Sequence, residues 1–311
     1  MNSKIGLVTV LYKSDNVLKD FFQCISRQTF TNFFLICIDN SPSANTKKLI
    51  TTFSEEYNLF DKLIHIENYE NVGVAKGNNQ GIEIAFENEC EYIVLLNNDI
   101  VFTQTHLFEE LVNTSISTNE SIIIPKIFFS GEQSNLIWMA GGKLDKLRGL
   151  VTHVGEGEKD AACFNLSQHF NYAPTCFMLI HKRVFKTIGG MDENYFVYYD
   201  DVDFVYRAVK QNFKVYYLPS LEIYHKVGNS VGGFSPTYIY YFNRNRIYFS
   251  LKQLPLLYKI TSLFFYFVTR LRWQLNFIGE KRKMNLKGVI DGLKMCFRKP
   301  KNKILINGVY Y

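Results

Sequence analysis

The stretch Ile5–Tyr12, with the sequence IGLVTVLY, is the first of a series of short apolar runs that decides the fold. Three more runs follow it, at Phe33–Asp39, Leu63–Glu67 and Tyr92–Asn97. Each is too short for a typical helix and rich enough in β-branched or aromatic residues to predict a β-strand. Between them, residues 15–27, 43–58 and 74–88 carry apolar side chains at helical spacing.

This alternation of strands and helices predicts an α/β fold with a Rossmann-like, mostly parallel sheet. In such sheets the ligand crevice lies beyond the carboxyl ends of the strands. Asp39 ends the second run and Asp99 follows the fourth, so both acids are expected at the crevice. The alternative is that they are ordinary turn and capping residues.

The second half of the chain is less regular. Residues 127–172 are rich in glycine, which predicts loops and short strands. The elements predicted after it are a strand at Cys176–Ile180, a helix at Arg183–Ile188, a helix at Asp200–Gln211 and a strand at Lys214–Leu218 ended by Pro219.

The segment Asn71–Gly81 contains glycines at i, i+4 and i+8, starting from Gly73. This spacing gives a helix a smooth face that a backbone or a ligand can approach closely. It matches neither a GxGxxG fingerprint nor a P-loop, so a dinucleotide or ATP site is poorly supported. Close packing on the sheet would explain the glycines but would leave Lys76 and its asparagine neighbours without a role.

Acidic residues cluster at Asp200, Asp201 and Asp203, at the start of a predicted helix. One or two acids would serve as cap and dipole partners. Because adjacent acids repel one another, the pKa of at least one of them should rise, which suits a general base. Capping without catalysis remains the alternative.

Two residues are candidate metal ligands. Asp99 follows a buried strand with the neutral Asn97 two residues before it, and hard cations commonly complete such a shell with substrate phosphate and water. His225 follows the predicted strand and turn, and it becomes a ligand candidate only if Asp99 holds a metal; a structural histidine is the alternative.

Charge is distributed unevenly along the chain. The net charge is +6, yet residues 251–311 contain 13 basic and two acidic side chains, against 22 basic and 27 acidic ones before them. An acidic body is a poor nucleic-acid surface, whereas a basic, aromatic tail suits an anionic membrane. Six scattered cysteines without a CxxC pair and an amino terminus without a basic region before its first apolar run predict a reduced, cytoplasmic protein.

The tail carries an apolar stripe at alternating steps of three and four residues, which predicts an amphipathic helix. Its longest uncharged run, Ile260–Thr269, is far below the about 20 residues that a spanning helix needs. We therefore expect the tail to lie on the inner face of the membrane; packing on the catalytic domain or in a homo-oligomer is the alternative. The stripe consists of Leu257, Ile260, Phe264, Val268, Leu271, Leu275 and Ile278.

With these residues in place, the chain resembles the family 2 glycosyltransferases, which have the A-type nucleotide-sugar fold, and most closely bacterial rhamnosyltransferases and related O-antigen or cell-wall enzymes. The resemblance extends from Ile5 to His225. Its motifs are, in order, Val8–Tyr12, Gln28–Phe30, Ile38–Ser41, Asn71–Gly81, Leu95–Asp99, Gly189–Glu193 and Asp200–Asp203 before His225.

The resemblance implies roles for individual residues. Asp39 would bind the nucleoside, Asp99 and His225 the Mn²⁺ or Mg²⁺ that bridges the diphosphate, and Asp201 would be the base. Asn97 departs from the family, many members of which have Asp there. We expect substrate contacts from Val10, Tyr12, Asp39, Asn71, Gly73, Lys76, Asn98 and Asp200.

The implied activity is inverting transfer of a sugar from a nucleoside diphosphate, dTDP-rhamnose or a UDP-sugar, to a hydroxyl of a lipid-linked saccharide. Residues 1–250 would form the catalytic domain, with a donor half to about 126 and an acceptor half after it, and residues 251–311 the tail. Two alternatives remain, a sugar-nucleotide pyrophosphorylase and a non-catalytic membrane-associated scaffold. A pyrophosphorylase should have a Gly-rich loop after the first strand, where this chain has Tyr12–Asp15.

Overall fold

A computed structural model of the chain describes residues 3–226 and 235–311. Its strands are β1 Ile5–Leu11, β2 Phe33–Asp39, β3 Leu63–Glu67, β4 Tyr92–Leu96, β5 Ile100–Val101, β6 Ile122–Phe129, β7 Ile137–Met139, β8 Gly142–Asp145, β9 Leu150–His153, β10 Gln168–Phe170, β11 Phe177–His181, β12 Val215–His225, β13 Leu305–Ile306 and β14 Val309–Tyr310. Its α-helices are α1 Leu18–Ser26, α2 Ala44–Glu56, α3 Val74–Glu87, α4 Leu107–Thr118, α5 Lys182–Ile188, α6 Asp200–Lys210, α7 Pro236–Gln253, α8 Leu256–Asn276 and α9 Gly279–Met295.

The main sheet has the strand order β10-β12-β6-β11-β4-β1-β2-β3. Strands β3, β2, β1 and β4 pair in parallel, so their carboxyl ends meet at one edge. Strand β11 then lies antiparallel between β4 and β6, and β12 is parallel to β6. The predicted α/β fold with a Rossmann-like sheet is confirmed, and each of the four predicted amino-terminal strands is present.

Helix α3 packs directly on strand β1, and its glycines make this approach possible. A Cβ on Gly77 would lie 2.9 Å from a Val10 methyl, and one on Gly81 only 2.3 Å from a Val8 methyl. Carbon atoms need about 3.5 to 4.0 Å between them. Two of the three glycines in the segment thus serve helix packing.

The predicted end of a strand at Pro219 is wrong. Strand β12 continues through Pro219 to His225, with a shift of register between Leu218 and Glu222. Proline lacks the N–H that a regular ladder requires, but a bulge leaves that position unpaired. The consequence is that His225 lies at the end of a strand of the main sheet.

The tail folds back on the rest of the chain. Helix α7 packs closely against α9. A Cβ on Gly288 or on Gly292 of α9 would lie 2.7 Å from a carbonyl oxygen of α7, so both positions require glycine. The last segment returns to the main sheet, because Ile304 and Ile306 are buried in the main hydrophobic core. None of the helices in the described part of the chain is long and apolar enough to cross a membrane.

Helix α8 presents six of the seven residues of the predicted apolar stripe to the outside, and the seventh, Ile278, follows the end of the helix. Tyr266 and Arg270 are buried on its inner side. All seven stripe residues are more than half exposed, from 54% for Val268 to 84% for Ile278. The alternative that the stripe packs on the catalytic domain of its own chain is therefore wrong.

The six cysteines are all free.

Candidate active site

The site is built where three chain segments meet at the carboxyl edge of the sheet. The residue after β4, the end of β12 and the start of α6 line a common cavity, while the ends of β1 and β2 lie farther along the same edge of the sheet. A cavity of about 360 Å³ lies here, and Asp200, Asp201 and His225 are among the residues that line it.

Asp39, at the end of β2, has one buried oxygen without a protein partner. Its Oδ1 accepts a hydrogen bond from the Ser41 N–H at 2.8 Å. Its Oδ2 is buried and accepts no hydrogen bond. The Nε2 atom of His65 lies 3.7 Å from this oxygen. Buried carboxylate oxygens normally have a hydrogen-bond donor. The N–H or O–H of a nucleoside would supply one.

The other predicted donor-binding residues lie near this edge. The Asn98 amide donates to the Val10 carbonyl oxygen at 3.0 Å and so holds the end of β1. The Asn71 side chain accepts the Gly73 N–H at 2.9 Å, which fixes the turn before α3. Lys76 and Tyr12 are exposed. Asn98 and Asn71 thus shape the backbone, while the Lys76 amine and the Tyr12 ring face outward.

Gly73 lies at the contact between the two halves of the site. Its φ of +85° favours glycine, and a Cβ there would lie 2.5 Å from the Phe196 carbonyl oxygen. The next residue, Val74, donates its N–H to this same oxygen at 2.6 Å. The donor-side turn is therefore attached to the segment that precedes α6.

Asp99 and His225 are brought together by the antiparallel pairing of β5 with β12, which sets His225 opposite Ile100. Their Oδ1 and Nε2 atoms are 3.2 Å apart, and Asp99 Oδ1 is buried without a hydrogen bond. Two ligands of an octahedral cation with bonds of about 2.1 Å lie about 3 Å apart. The pair therefore fits two neighbouring ligands of Mg²⁺ or Mn²⁺.

The remaining ligands of such a cation would come from outside the protein. Among the described residues no group of three His, Cys, Asp or Glu side chains is placed to hold a metal. Asn97 is exposed and only its backbone N–H is used, in a 2.8 Å hydrogen bond to the Cys176 carbonyl. Diphosphate and water would complete the shell.

The acid cluster divides into two roles. Asp203 is a structural residue, because it pairs with Arg207 at 2.7 Å and accepts from Gln253 at 2.7 Å. Asp201 faces the cavity, where its Oδ2 accepts from the Tyr172 hydroxyl and its Oδ1 from the Val202 N–H, each at 2.8 Å.

Burial sets the protonation of the neighbouring pair. The pKa of Asp200 is raised to about 8, first by burial and then by the charge of Asp201. The pKa of Asp201 is also raised by burial, but the hydrogen bonds from Tyr172 and Val202 oppose the rise. Near neutral pH, Asp200 is therefore mostly protonated, whereas two hydrogen-bond donors favour the ionised form of Asp201.

An aromatic wall completes the cavity. The Trp138 ring lies between the rings of His153 and His225, with centroids at 4.5 and 4.6 Å. Burial lowers the pKa of His153 to about 4, so it is neutral at pH 7. Apolar and aromatic walls with a few converging polar groups are typical of small-molecule sites. The other aromatic lining residues are Tyr172, Tyr198, Tyr199, Tyr238 and Phe242.

Sequence reasoning missed this wall. Trp138, His153 and Tyr172 come from the irregular segment 127–172, whose side chains have no periodicity that predicts a common face. The available signal was their chemistry, since a tryptophan, a histidine and a tyrosine in a Gly-rich segment are candidates for ligand contact.

The metal end and the acid pair face the same buried thiol. The pKa of Cys176 is raised, first by burial and then by the charges of Asp99 and Asp201. Both carboxylates therefore lie close to one cavity-lining side chain. The site thus brings together a carboxylate–imidazole pair that fits a cation, a pair of buried carboxyl groups and an aromatic cavity.

Comparison with known proteins identifies the family. The family model described as Glycosyl transferase family 2 matches residues 7–189. The low-salt glycan biosynthesis hexosyltransferase Agl10 of Haloferax volcanii is 26% identical over 79% of this chain and 75% of its own length. The dTDP-rhamnosyl transferase RfbF of Shigella flexneri is 25% identical over 94% of this chain and 97% of its own.

Solved structures share the fold at low identity. A mannosyltransferase from Pyrobaculum calidifontis, in complex with GDP-Man and Mn²⁺, matches 95% of this chain and 87% of its own with a TM-score of 0.56 and 9% identity. TarS of S. aureus matches 94% of this chain with a TM-score of 0.57 and 14% identity, and the chain spans about half (49%) of its length.

Proposed function

Because this chain belongs to glycosyl transferase family 2 and is a glycosyltransferase that uses a sugar-nucleotide donor, we propose that it transfers the sugar with inversion and with help from a divalent cation. The observation that carries this proposal is that Asp201 and His225 line one cavity and that His225 pairs with Asp99. A single base and a single cation site suffice for a one-step displacement.

Asp201 accepts the proton of an acceptor hydroxyl while that oxygen forms a bond to the anomeric carbon of the donor. The bond from this carbon to the nucleoside diphosphate breaks in the same step, so the configuration at the carbon inverts. Tyr172 and the Val202 N–H orient Asp201, and protonated Asp200 avoids a second negative charge beside it. Retaining glycosidases instead need a carboxylate nucleophile and a covalent intermediate.

Asp99 and His225 would hold Mn²⁺ or Mg²⁺. When bound, the cation compensates the charge that develops on the departing diphosphate. The orphaned Asp99 Oδ1 and its 3.2 Å distance to His225 Nε2 support this assignment, as does the Mn²⁺ in the mannosyltransferase of the same fold. Asp39 and the end of β1 would bind the nucleoside.

We assign dTDP-rhamnose or a UDP-sugar as the donor and a lipid-linked saccharide as the acceptor. The rhamnose assignment rests on the name of RfbF, which aligns along nearly the whole of both chains. The lipid assignment rests on α8, whose exposed apolar stripe belongs to a segment with 13 basic and two acidic residues. Such a surface would dock on anionic lipid at the inner face of the membrane, near a membrane-held acceptor.

The test is turnover by the purified chain with a panel of nucleotide sugars and Mn²⁺, followed as release of nucleoside diphosphate. We expect release from one donor class, stimulated by a saccharide acceptor and abolished by EDTA. A scaffold would release none from any donor. A pyrophosphorylase would instead form a nucleotide sugar from a nucleoside triphosphate and a sugar 1-phosphate.

A further inference from the structure

The backbone that delivers Asp200 and Asp201 to the cavity has an uncommon conformation. Phe196, Tyr198 and Tyr199 all have positive φ angles, of 68°, 63° and 68°. Side chains other than glycine rarely adopt this region, so surrounding contacts must hold the segment in place. We call residues 194–199 the pre-α6 segment.

One side chain from helix α7 makes three of these contacts. The Asn245 Nδ2 lies 3.0, 2.7 and 2.7 Å from the carbonyl oxygens of Tyr195, Val197 and Tyr198. Asn245 is fully buried. Because its amide has two N–H groups for three acceptors, the three carbonyl groups must converge on it, which fixes the turn of the pre-α6 segment.

Arg244 supports the same arrangement from the neighbouring position. Its Nε donates to Asn245 Oδ1 at 2.8 Å, which orients the amide with Nδ2 toward the three carbonyl groups. Its Nη2 donates to the carbonyl oxygen of Asn194 at 2.9 Å. The guanidinium and the amide together form a carbonyl clamp on the pre-α6 segment.

The clamped segment is also the contact to the donor side of the site. The Phe196 carbonyl oxygen accepts the Val74 N–H, and Gly73 lies against the same oxygen. A change in the segment therefore moves the acid pair relative to the turn that precedes α3.

We propose that Asn245 is a positioning residue for transfer: its amide holds the pre-α6 segment in the shape that aims Asp201 at the cavity. The inference rests on the proposed function, in which Asp201 is the base. Asn245 lies on helix α7, which also lines the cavity and lies beyond the matched family region of residues 7–189.

Asn243 provides a matched control. It is a fully buried asparagine on the same helix, but its Nδ2 donates to Asn285 and its Oδ1 accepts from Arg270. These contacts join α7 to α9 and α8, not to the pre-α6 segment. Asn243→Ala should therefore destabilise the tail helices without altering the acid pair.

The first measurement is hydrogen–deuterium exchange of the full-length chain, which needs no turnover. Asn245→Ala should increase exchange in the peptide covering 194–204, and Asn243→Ala in the peptides of α8 and α9. The isosteric Asn245→Asp, which loses the two N–H donors, should resemble Asn245→Ala. Unchanged exchange at 194–204 in both Asn245 variants would overturn the proposal, whatever their activity.

The second measurement is kinetic. Asn245→Ala should lower kcat by about 10²-fold, since a displacement of about 1 Å can cost that much. Its KM for donor should change little. Because burial raises the pKa of Asp201, better access of water should lower that pKa and move the acidic limb of the pH–rate profile to lower pH. Asn243→Ala should keep the wild-type limb. If Asn245→Ala lowered stability but left kcat and the acidic limb unchanged, Asn245 would be a structural residue and not a positioning residue. A wild type without transfer would refute the proposed function, while the exchange result would still decide the clamp.

Discussion

Asp200 and Asp201 are adjacent in the chain but lie in different surroundings. Asp201 receives two hydrogen bonds, from the Tyr172 hydroxyl and the Val202 N–H, whereas the pKa of Asp200 is raised to about 8. Hydrogen-bond donors stabilise a carboxylate and burial favours the neutral acid. This contrast supports Asp201 as the proposed base and Asp200 as the neutral member of the pair.

Replacing the base should affect the rate and not donor binding. We expect Asp201→Asn to lower kcat by about 10²–10⁴-fold while the affinity for donor, measured by calorimetry with Mn²⁺, stays near that of the wild type. Asp200→Asn should cost less. Loss of donor affinity in parallel with the rate would make Asp201 structural, and a larger loss in Asp200→Asn would move the base to its neighbour.

The raised pKa of Asp200 also predicts how stability depends on pH. An unfolded Asp releases its proton near pH 3.9, whereas folded Asp200 keeps it up to about pH 8. The folded state thus binds more protons in this interval, and this group destabilises the fold increasingly as the pH rises through it. Asp200→Asn should raise Tm relative to the wild type, more at pH 8 than at pH 5, in calorimetric scans. An equal difference at both values would contradict the assignment.

The metal pair makes a separate prediction. Asp99→Asn removes the anionic ligand and His225→Gln the imidazole, so each should raise the Mn²⁺ concentration for half-maximal rate at least about tenfold. His169→Gln is a matched control, because His169 pairs with Glu120 and lies opposite Tyr216, at the other end of β12 from His225. If both variants kept near wild-type rates at limiting Mn²⁺, Asp99 and His225 would not be the cation ligands.

At the scale of elements, the sequence predicted the strands and helices whose apolar residues are periodic. It did not predict features that depend on which strands pair. The strand–helix alternation located β1–β4, and strand-end chemistry selected Asp39 and Asp99. The position of His225 depends on β12 continuing past Pro219 and pairing with β5, which no local pattern indicates. The cavity wall of Trp138, His153 and Tyr172 likewise depends on tertiary packing of an irregular segment.

Helix α8 is the opposite case. Its sequence pattern predicted the helix correctly, and only the surface that covers its apolar stripe was left undecided. The stripe that predicted an amphipathic helix is exposed along α8. Each basic residue near an anionic surface contributes about 1 kcal/mol to binding, so the tail has ample charge for docking. A second copy of the chain is the other occupant that the stripe allows.

Liposome flotation distinguishes these occupants. The full-length protein should float with anionic vesicles, less so at high salt, and Phe264→Asp should weaken flotation. Ile116→Asp, an exposed apolar residue of α4, is the matched control and should float like the wild type. Equal flotation of both variants, together with a dimer that Phe264→Asp dissociates, would assign the stripe to self-association.

At the scale of the whole molecule, helix α7 and the end of the tail both pack on the part of the chain that carries the main sheet. Helix α7 spans Pro236–Gln253, across the predicted boundary at 250, and its Arg244 and Asn245 contact the pre-α6 segment. Ile304 and Ile306 rejoin the main core. The sequence could indicate the sheet and its strand-end acids, but contacts between residues about 50 positions apart follow only from the assembled fold.

The measurement that tests the central claim most directly is the anomeric configuration of the product. Transfer from a donor of known configuration, followed by ¹H NMR before the product equilibrates, should yield the inverted anomer with the wild type and a strongly reduced rate with Asp201→Asn. A product that retains the donor's configuration would contradict the single displacement by Asp201 on which the account depends.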